Sequence, residues 1–184
     1  MLGSLVSVPA LERPDLLAPP VASALEAWQG VPVEDVQVAE IDPDLADTAQ
    51  FCAAYDVRLE HSANCVVVAT RRGQRSRLVA CVVLATTRAD VNGLVRRHVD
   101  ARRATFAPMD LAVAQTGMEY GGITPIGLPG DWPLLVDAAV AAAKNIVVGS
   151  GLRRSKLILP GAALASLPDA QVIIGLGVPV PPCG

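Results

Sequence analysis

The chain has 184 residues, 52% hydrophobic and 18% charged, with a net charge of −3. That length suits one domain with one substantial core, and the balance excludes a disordered chain, which pairs low hydrophobicity with high net charge. Aromatic residues supply only 3%, so Ala, Val, Leu and Ile must build the core, while 15 Gly and 15 Pro without a period imply many turns and no collagen repeat.

Residues 1–19 carry Pro9, Pro14 and Pro19 and read as an irregular leader to a domain spanning residues 20–177. Pro20 opens a helix that Gly30 can end in a left-handed conformation. A strand is expected over residues 33–41, then a helix started by the cap pair Asp42 and Pro43 and running to Ala54. Residues 64–70 and 78–86 are two β-branched apolar runs separated by a polar, Arg-rich segment, the pattern of a hairpin buried on both faces. Asp90 caps a helix whose stripe of Val91, Leu94, Val95, His98 and Val99 predicts an inward-facing His98. A short strand over residues 104–108, a short helix ended by Gly117, and a Gly/Pro-rich loop follow. Strands at residues 133–137, 145–149, 155–159 and 171–176 alternate with short helices, and residues 178–184 form a Pro-rich tail with no place in regular structure. Six to eight strands without a strict βαβ rhythm argue for a mixed-sheet α+β domain.

The charge is uneven along this order: −9 over residues 1–60, +7 over residues 61–103 and −1 over residues 104–184. A basic middle in an acidic chain points toward a polyanion. Arg71, Arg72, Arg75 and Arg77 crowd the hairpin tip, and Arg96 and Arg97 lie off the apolar stripe of the following helix. These clusters are read equally as solvated surface or as a phosphate-tracking face, with no aromatic interleaving for base stacking.

Cys52, Cys65, Cys81 and Cys183 show no C-x-x-C spacing, which suits a reduced, cytoplasmic setting better than a disulfide framework. No signal peptide is expected, because no positive leader precedes the first apolar stretch, and Asp137 and Lys144 interrupt the longest apolar region, so no membrane span is expected either. Two His and unpaired Cys make a metal site improbable, and no cofactor motif is present. His61 and Cys65 stand four apart, but Cys65 begins a buried-looking strand and nothing marks an orienting partner, so a structural His61 is the better reading.

Residues 116–127 hold four glycines and a proline in twelve positions, T-G-M-E-Y-G-G-I-T-P-I-G. A loop of this make-up is either a long connection or a backbone cradle whose N–H groups meet a carbonyl or developing oxyanion. The order of this segment, then Leu135-Val136-Asp137, then I-V-V-G-S-G-L-R-R at 146–154 and L-I-L-P-G-A-A-L at 157–164, resembles the YbaK family, the prolyl-tRNA-synthetase-associated editing domain. The resemblance implies a barrel-like α+β domain that hydrolyses the ester joining a wrong amino acid to the tRNA 3′ end. It places Gly121, Gly122, Thr124 and Pro125 in the ester-binding loop, Asp137 near the substrate's amino group or supporting the pocket, and Gly149, Ser150 and Gly151 in a second small-residue turn that also binds substrate. It also exposes a departure: where the family has a Lys at the start of the hairpin's first strand, this chain has Asn64. Asn can hydrogen-bond a ribose or carbonyl but cannot neutralise a charge. Lys144 and Lys156 belong to other elements and are not expected to substitute, which leaves a nearby Arg such as Arg71 or Arg75. The expected activity is deacylation of mischarged tRNA in trans, with a non-catalytic binder of tRNA or an aminoacyl-like ligand as the alternative.

Overall fold

The computed structural model describes residues 2–30 and 32–180. Among the described residues, eleven strands form three sheets and six α-helices pack around them. β1 (Ser7–Pro9), β2 (Gln37–Glu40), β8 (Ile146–Gly149) and β9 (Ser155–Leu159) form an antiparallel sheet in the order β1-β2-β9-β8. β3 (Ala63–Arg72), β4 (Arg75–Leu84), β6 (Arg103–Phe106), β7 (Leu134–Asp137) and β10 (Ala170–Ile173) form a mixed sheet in the order β10-β7-β4-β3-β6. Its β10/β7 and β7/β4 pairs are parallel and its β4/β3 and β3/β6 pairs antiparallel. A two-stranded sheet pairs β5 (Thr87–Ala89) with β11 (Gly177–Pro179). The helices are α1 (Pro19–Ala27), α2 (Thr48–Ala54), α3 (Arg96–His98), α4 (Met109–Thr116), α5 (Ala138–Ala141) and α6 (Gly161–Ala165).

The hairpin forms as its pattern demands. β3 and β4 are ten residues each, joined across Gly73, whose φ of +61° supplies the left-handed residue that a tight turn needs. Because side chains alternate across a strand, β4 serves two cores at once. Ala80 and Val82 pack with α1 residues Val21 and Leu25 and with Leu157 and Leu159 of β9, whereas Val79, Cys81 and Val83 pack with Val91, Val95 and Leu176. A third cluster gathers Phe51, Cys52, Ala39, Ile41 and Val147 under α2. Gly117 ends α4 at φ +67° with its N–H donating to Val113.

Several expectations change. The sheets stay open, so no barrel closes among the described residues, and the strands exceed the six to eight expected. The leader belongs to the fold: β1 pairs with β2, and Leu5, Ala10, Leu16 and Leu17 are buried. The start of the proline-rich tail is likewise regular, since β11 pairs with β5; residues 181–184, including Cys183, lie outside the described residues. The strand expected over residues 33–41 shortens to β2 behind a 3₁₀ turn, and the helix expected from Asp42 divides into a 3₁₀ turn, which Asp42 caps through the Asp44 N–H, and α2. Asp90 does cap its helix, accepting from the N–H groups of Gly93 and Leu94, but the first turn is π-helical. The wider turn shifts the stripe, and His98 ends up exposed, 2.8 Å from Gln171 Oε1, rather than in the core.

Candidate functional site

The antiparallel and mixed sheets meet where Ser62, just before β3, bridges in parallel to Val147 of β8. Beside that junction a cavity of about 490 Å³ opens between Asp47 and Thr48 at the start of α2, the first half of β3, the β6–α4 corner, the loop at residues 120–123, the end of β8, and Lys156 of β9. Its size falls in the range that holds a small organic ligand. Ala46, Ala63, Val67, Ile123, Val147 and Val148 give it apolar walls.

Asn64 faces this cavity, and its Oδ1 accepts from the Thr48 hydroxyl at 2.7 Å. That bond fixes the carboxamide and leaves Nδ2 without a protein acceptor among the described residues. The site also contains a group that sequence reasoning set aside. Lys156 enters from β9, is 8% exposed, donates from Nζ to the Ala46 carbonyl at 2.9 Å, and holds its ammonium 5.3 Å from the centre of the Phe51 ring. Burial, reinforced by the Arg153 guanidinium, pulls its pKa down to about 8, against weaker opposing effects of Cys52 and Asp47. Its mark in the sequence is a lone Lys ahead of the apolar run Leu157-Ile158-Leu159, and nothing in that segment alone shows that β9 converges with β3. Arg71, considered as a replacement, lines a different cavity, and Arg75 lies exposed at the hairpin tip.

The two glycine-rich segments are brought together, back to back. Gly151 N–H donates to the Gly122 carbonyl at 2.7 Å, Glu119 N–H donates to the Gly151 carbonyl, and Glu119 Oε2 accepts from the Arg153 N–H. A Cβ on Gly149 would stand 2.3 Å from the Gly122 oxygen, and one on Gly122 would stand 2.7 Å from the Leu152 backbone, so both positions are small because two main chains touch there. Gly121 and Ile123 reach the cavity wall, and their N–H groups have no protein acceptor among the described residues. Ser150 is buried away from the cavity, bonding Ser155 Oγ at 2.7 Å and the carbonyls of Leu152 and Ser155.

The rest of the expected loop points elsewhere. Thr124 is fully buried with its hydroxyl unpartnered, and Pro125 lines a separate cavity of about 260 Å³ beside Trp28 and Leu128. Asp137 is buried too, but its carboxylate accepts from the Ala139 N–H at the start of α5 and from the Gly177 N–H at 2.7 Å. It ties α5 to β11 and does not line the cavity that holds Asn64.

The nucleophile reading of Cys65 loses its footing here. Burial pushes the thiol well above its ordinary range, and the His61 Nε2 lies against the Arg58 guanidinium. No group of three His, Cys, Asp or Glu side chains suited to a metal occurs among the described residues, and no helix there is long and apolar enough to cross a membrane.

The Arg clusters separate. Arg71 and Arg77 join Arg103 around a second cavity of about 580 Å³ in which Asp131 is the lone acid. Arg72 is paired with Asp100, Arg96 donates to the Asn92 carbonyl, and Arg97 is exposed. The two cavities lie at opposite ends of β3 and are joined along β6 and α4 by an exposed rim: Phe106 (61% exposed) and Met109 border the first, Leu111 the second.

Comparison with known proteins gives the same frame. No curated protein matches the chain. Solved structures do: a hypothetical protein, APE2540, at 19% identity and TM-score 0.73, covering 86% of this chain and 99% of its own; a protein proposed as a trans-editing enzyme for prolyl tRNA synthetase, at 20% and 0.71, covering 85% and 94%; and a scaffold protein for computational epitope grafting, at 21% and 0.71, covering 85% and 95%. At these identities the likeness is one of fold. A family model adds sequence to shape, matching residues 42–167, a span that includes Asn64, both glycine segments and Lys156, and so the chain belongs to the aminoacyl-tRNA editing domain family.

Proposed function

We propose that this protein is an aminoacyl-tRNA deacylase acting in trans, with the aminoacyl ester seated in the cavity between the two sheets. The observation that carries the reading is the cavity: about 490 Å³, apolar-walled, and lined by a fixed carboxamide and by Gly121 and Ile123, whose N–H groups have no protein acceptor among the described residues. An aminoacyl group fits that volume, and the ester, already activated, needs orientation more than a strong nucleophile. Water attacks the carbonyl carbon, negative charge develops on the carbonyl oxygen, and preorganised donors meet it. Collapse breaks the bond to the ribose oxygen, which takes up the proton released by the water. The products are a free amino acid and a tRNA with a free terminal hydroxyl. The clamped pair of glycine turns, at residues 121–122 and 149–151, holds the rim in place. Arg71, Arg77 and Arg103, at the far end of β3, suit the phosphates that precede the ester, with Phe106 exposed between them and the cavity as a face for a base. Along an extended strand, Asn64 and Arg71 are about 23 Å apart, so the basic cavity reads the nucleic acid upstream of the ester rather than the ester itself.

The second reading, a binder without turnover, is favoured by Asn64, whose oxygen is committed to Thr48. Single-turnover deacylation over a panel of mischarged tRNAs decides between them. The deacylase reading expects release above the spontaneous rate on at least one tRNA and a loss of about tenfold or more in Asn64→Ala. Salt-sensitive tRNA binding without release on any of them, with activity created by Asn64→Lys, establishes the binder.

A further inference from the structure

Lys156 occupies a position where the fold would tolerate an apolar residue. Along β9, Leu157 and Leu159 face the main core, while Lys156 and Ile158 face the cluster of Phe51, Ala39 and Val147. Its partners across the ladder are Ala39 on β2 and Gly149 on β8, two small residues that leave room for a long side chain to bend toward the cavity. A buried ammonium is costly unless its donors are met. Here one donor meets the Ala46 carbonyl, and no carboxylate lies within ion-pair distance among the described residues. The nearest charged and titratable groups come from three segments: Asp47 before α2, Cys52 on α2, and Arg153 in the β8–β9 turn, where the Arg153 guanidinium lies 3.8 Å from Asp47 Oδ1. A Met or Leu would fill the same volume without desolvating a charge, so packing alone does not account for the amine. The face of the side chain that is not spent on Ala46 belongs to the cavity wall, together with Asn64, Gly121 and Gly149.

We infer that Lys156 is a catalytic residue of this cavity: its ammonium donates a hydrogen bond to the carbonyl oxygen of the bound aminoacyl ester and strengthens that bond as the oxygen becomes negative. The inference rests on the deacylase reading and deepens it by assigning the charge-stabilising group to β9. As water adds to the carbonyl carbon, the π electrons of the C=O bond move onto the oxygen held by Nζ. They return when the ester C–O bond breaks, and Lys156 ends the cycle with the protons it began with. A low-dielectric wall makes one such donor worth about 10²- to 10³-fold in rate, and Ala46, by holding Nζ in a fixed direction, limits reorganisation during the step.

The test compares wild-type protein with Lys156→Met, which keeps the length of the side chain, and reads three quantities: thermal stability, single-turnover deacylation of the best mischarged tRNA, and binding of an adenosine bearing the amino acid through a non-hydrolysable 3′-amide. The expected result is a folded variant, at least as heat-stable as wild type, whose deacylation rate falls about 100-fold or more and whose affinity for the amide falls about tenfold. A variant that deacylates within threefold of wild type overturns the assignment. Should wild-type protein deacylate nothing, the deacylase reading fails by itself, and amide binding then decides the Lys156 contact: weaker binding by Lys156→Met supports it, equal binding overturns it. If Lys156→Met does not fold, Lys156→Gln in the same binding assay takes its place, with the same two outcomes.

Discussion

Residues in and around the cavity show how much of its chemistry depends on burial. Lys156 has a pKa near 8 in the folded protein against 10.5 when unfolded, because the buried ammonium is desolvated and faces Arg153. A lowered amine pKa means that the unfolded chain binds more protons between these values, so stability rises with pH across that window. Below pH 8 both states are protonated and the folded state carries the full penalty, about 3 kcal/mol; above about pH 10.5 both are neutral and it vanishes. Asp47, Cys52 and Arg153 are the other charged or titratable groups acting on this amine, and burial raises the Cys52 thiol above its ordinary value. Urea unfolding of wild type and Lys156→Met should therefore show the variant more stable at pH 7, with the difference shrinking steadily toward pH 10. A difference independent of pH would mean that the amine is not desolvated in the folded state. The glycines act through shape instead. Gly149→Ala places a Cβ 2.3 Å from the Gly122 oxygen and 2.7 Å from that of Ile123, both main-chain atoms that cannot swing aside. Overpacking of this kind typically costs about 1–3 kcal/mol. Calorimetry should show a melting temperature lower by several degrees, and because the two turns part, deacylation should fall with it.

At the scale of elements, Asp137 separates a structural carboxylate from a functional one. It sits at the end of β7, caps α5 through the Ala139 N–H, and receives the Gly177 N–H that opens β11. Losing a cap of this type costs about 0.5–2 kcal/mol, and an abandoned buried amide adds to it. Asp137→Ala should lower the unfolding free energy by roughly 2 kcal/mol and leave the deacylation rate within about threefold. A hundredfold loss of rate with unchanged stability would return Asp137 to the substrate. The elements themselves were legible wherever a local signal was strong. The hairpin at Gly73, the Gly117 stop and the Asp90 cap each form because one residue satisfies a local geometric need. β1, β5 and β11 were not legible, since three-residue strands carry no periodicity and exist through the partners they find far along the chain. The site was half legible for the same reason. Composition marked both glycine segments, but their mutual clamp is a tertiary contact, and the convergence of β9 with β3 that delivers Lys156 beside Asn64 leaves no trace in either segment alone.

The whole molecule places its opposite charges in different regions. The acidic first third supplies β1, β2 and the segments around α1 and α2, whereas the basic middle builds β3, β4 and β5 and opens β6 with Arg103, so the positive face follows the long hairpin away from the cavity. Within that face, Arg72 is neutralised by Asp100, while Arg71, Arg77 and Arg103 converge on one concave surface with a single acid, Asp131. Convergence matters because phosphates are met by cations arranged along a path, and each contact with a single strand releases about 0.7 of a counterion. Replacing Arg71, Arg77 and Arg103 together by Gln removes up to three such contacts, so the slope of log affinity for tRNA against log salt should become shallower by about 2. Arg96→Gln combined with Arg97→Gln, on the neighbouring helix and outside the cavity, should leave that slope nearly unchanged. Deacylation measured with saturating tRNA should stay close to wild type in the triple variant, because the cavity proposed to hold the ester, at the other end of β3, is untouched, while half-saturation shifts to higher tRNA concentration. Equal slopes in the two variants would show that tRNA approaches over a different face, and the exposed rim of Phe106, Met109 and Leu111 would then no longer connect the nucleic acid to the cavity.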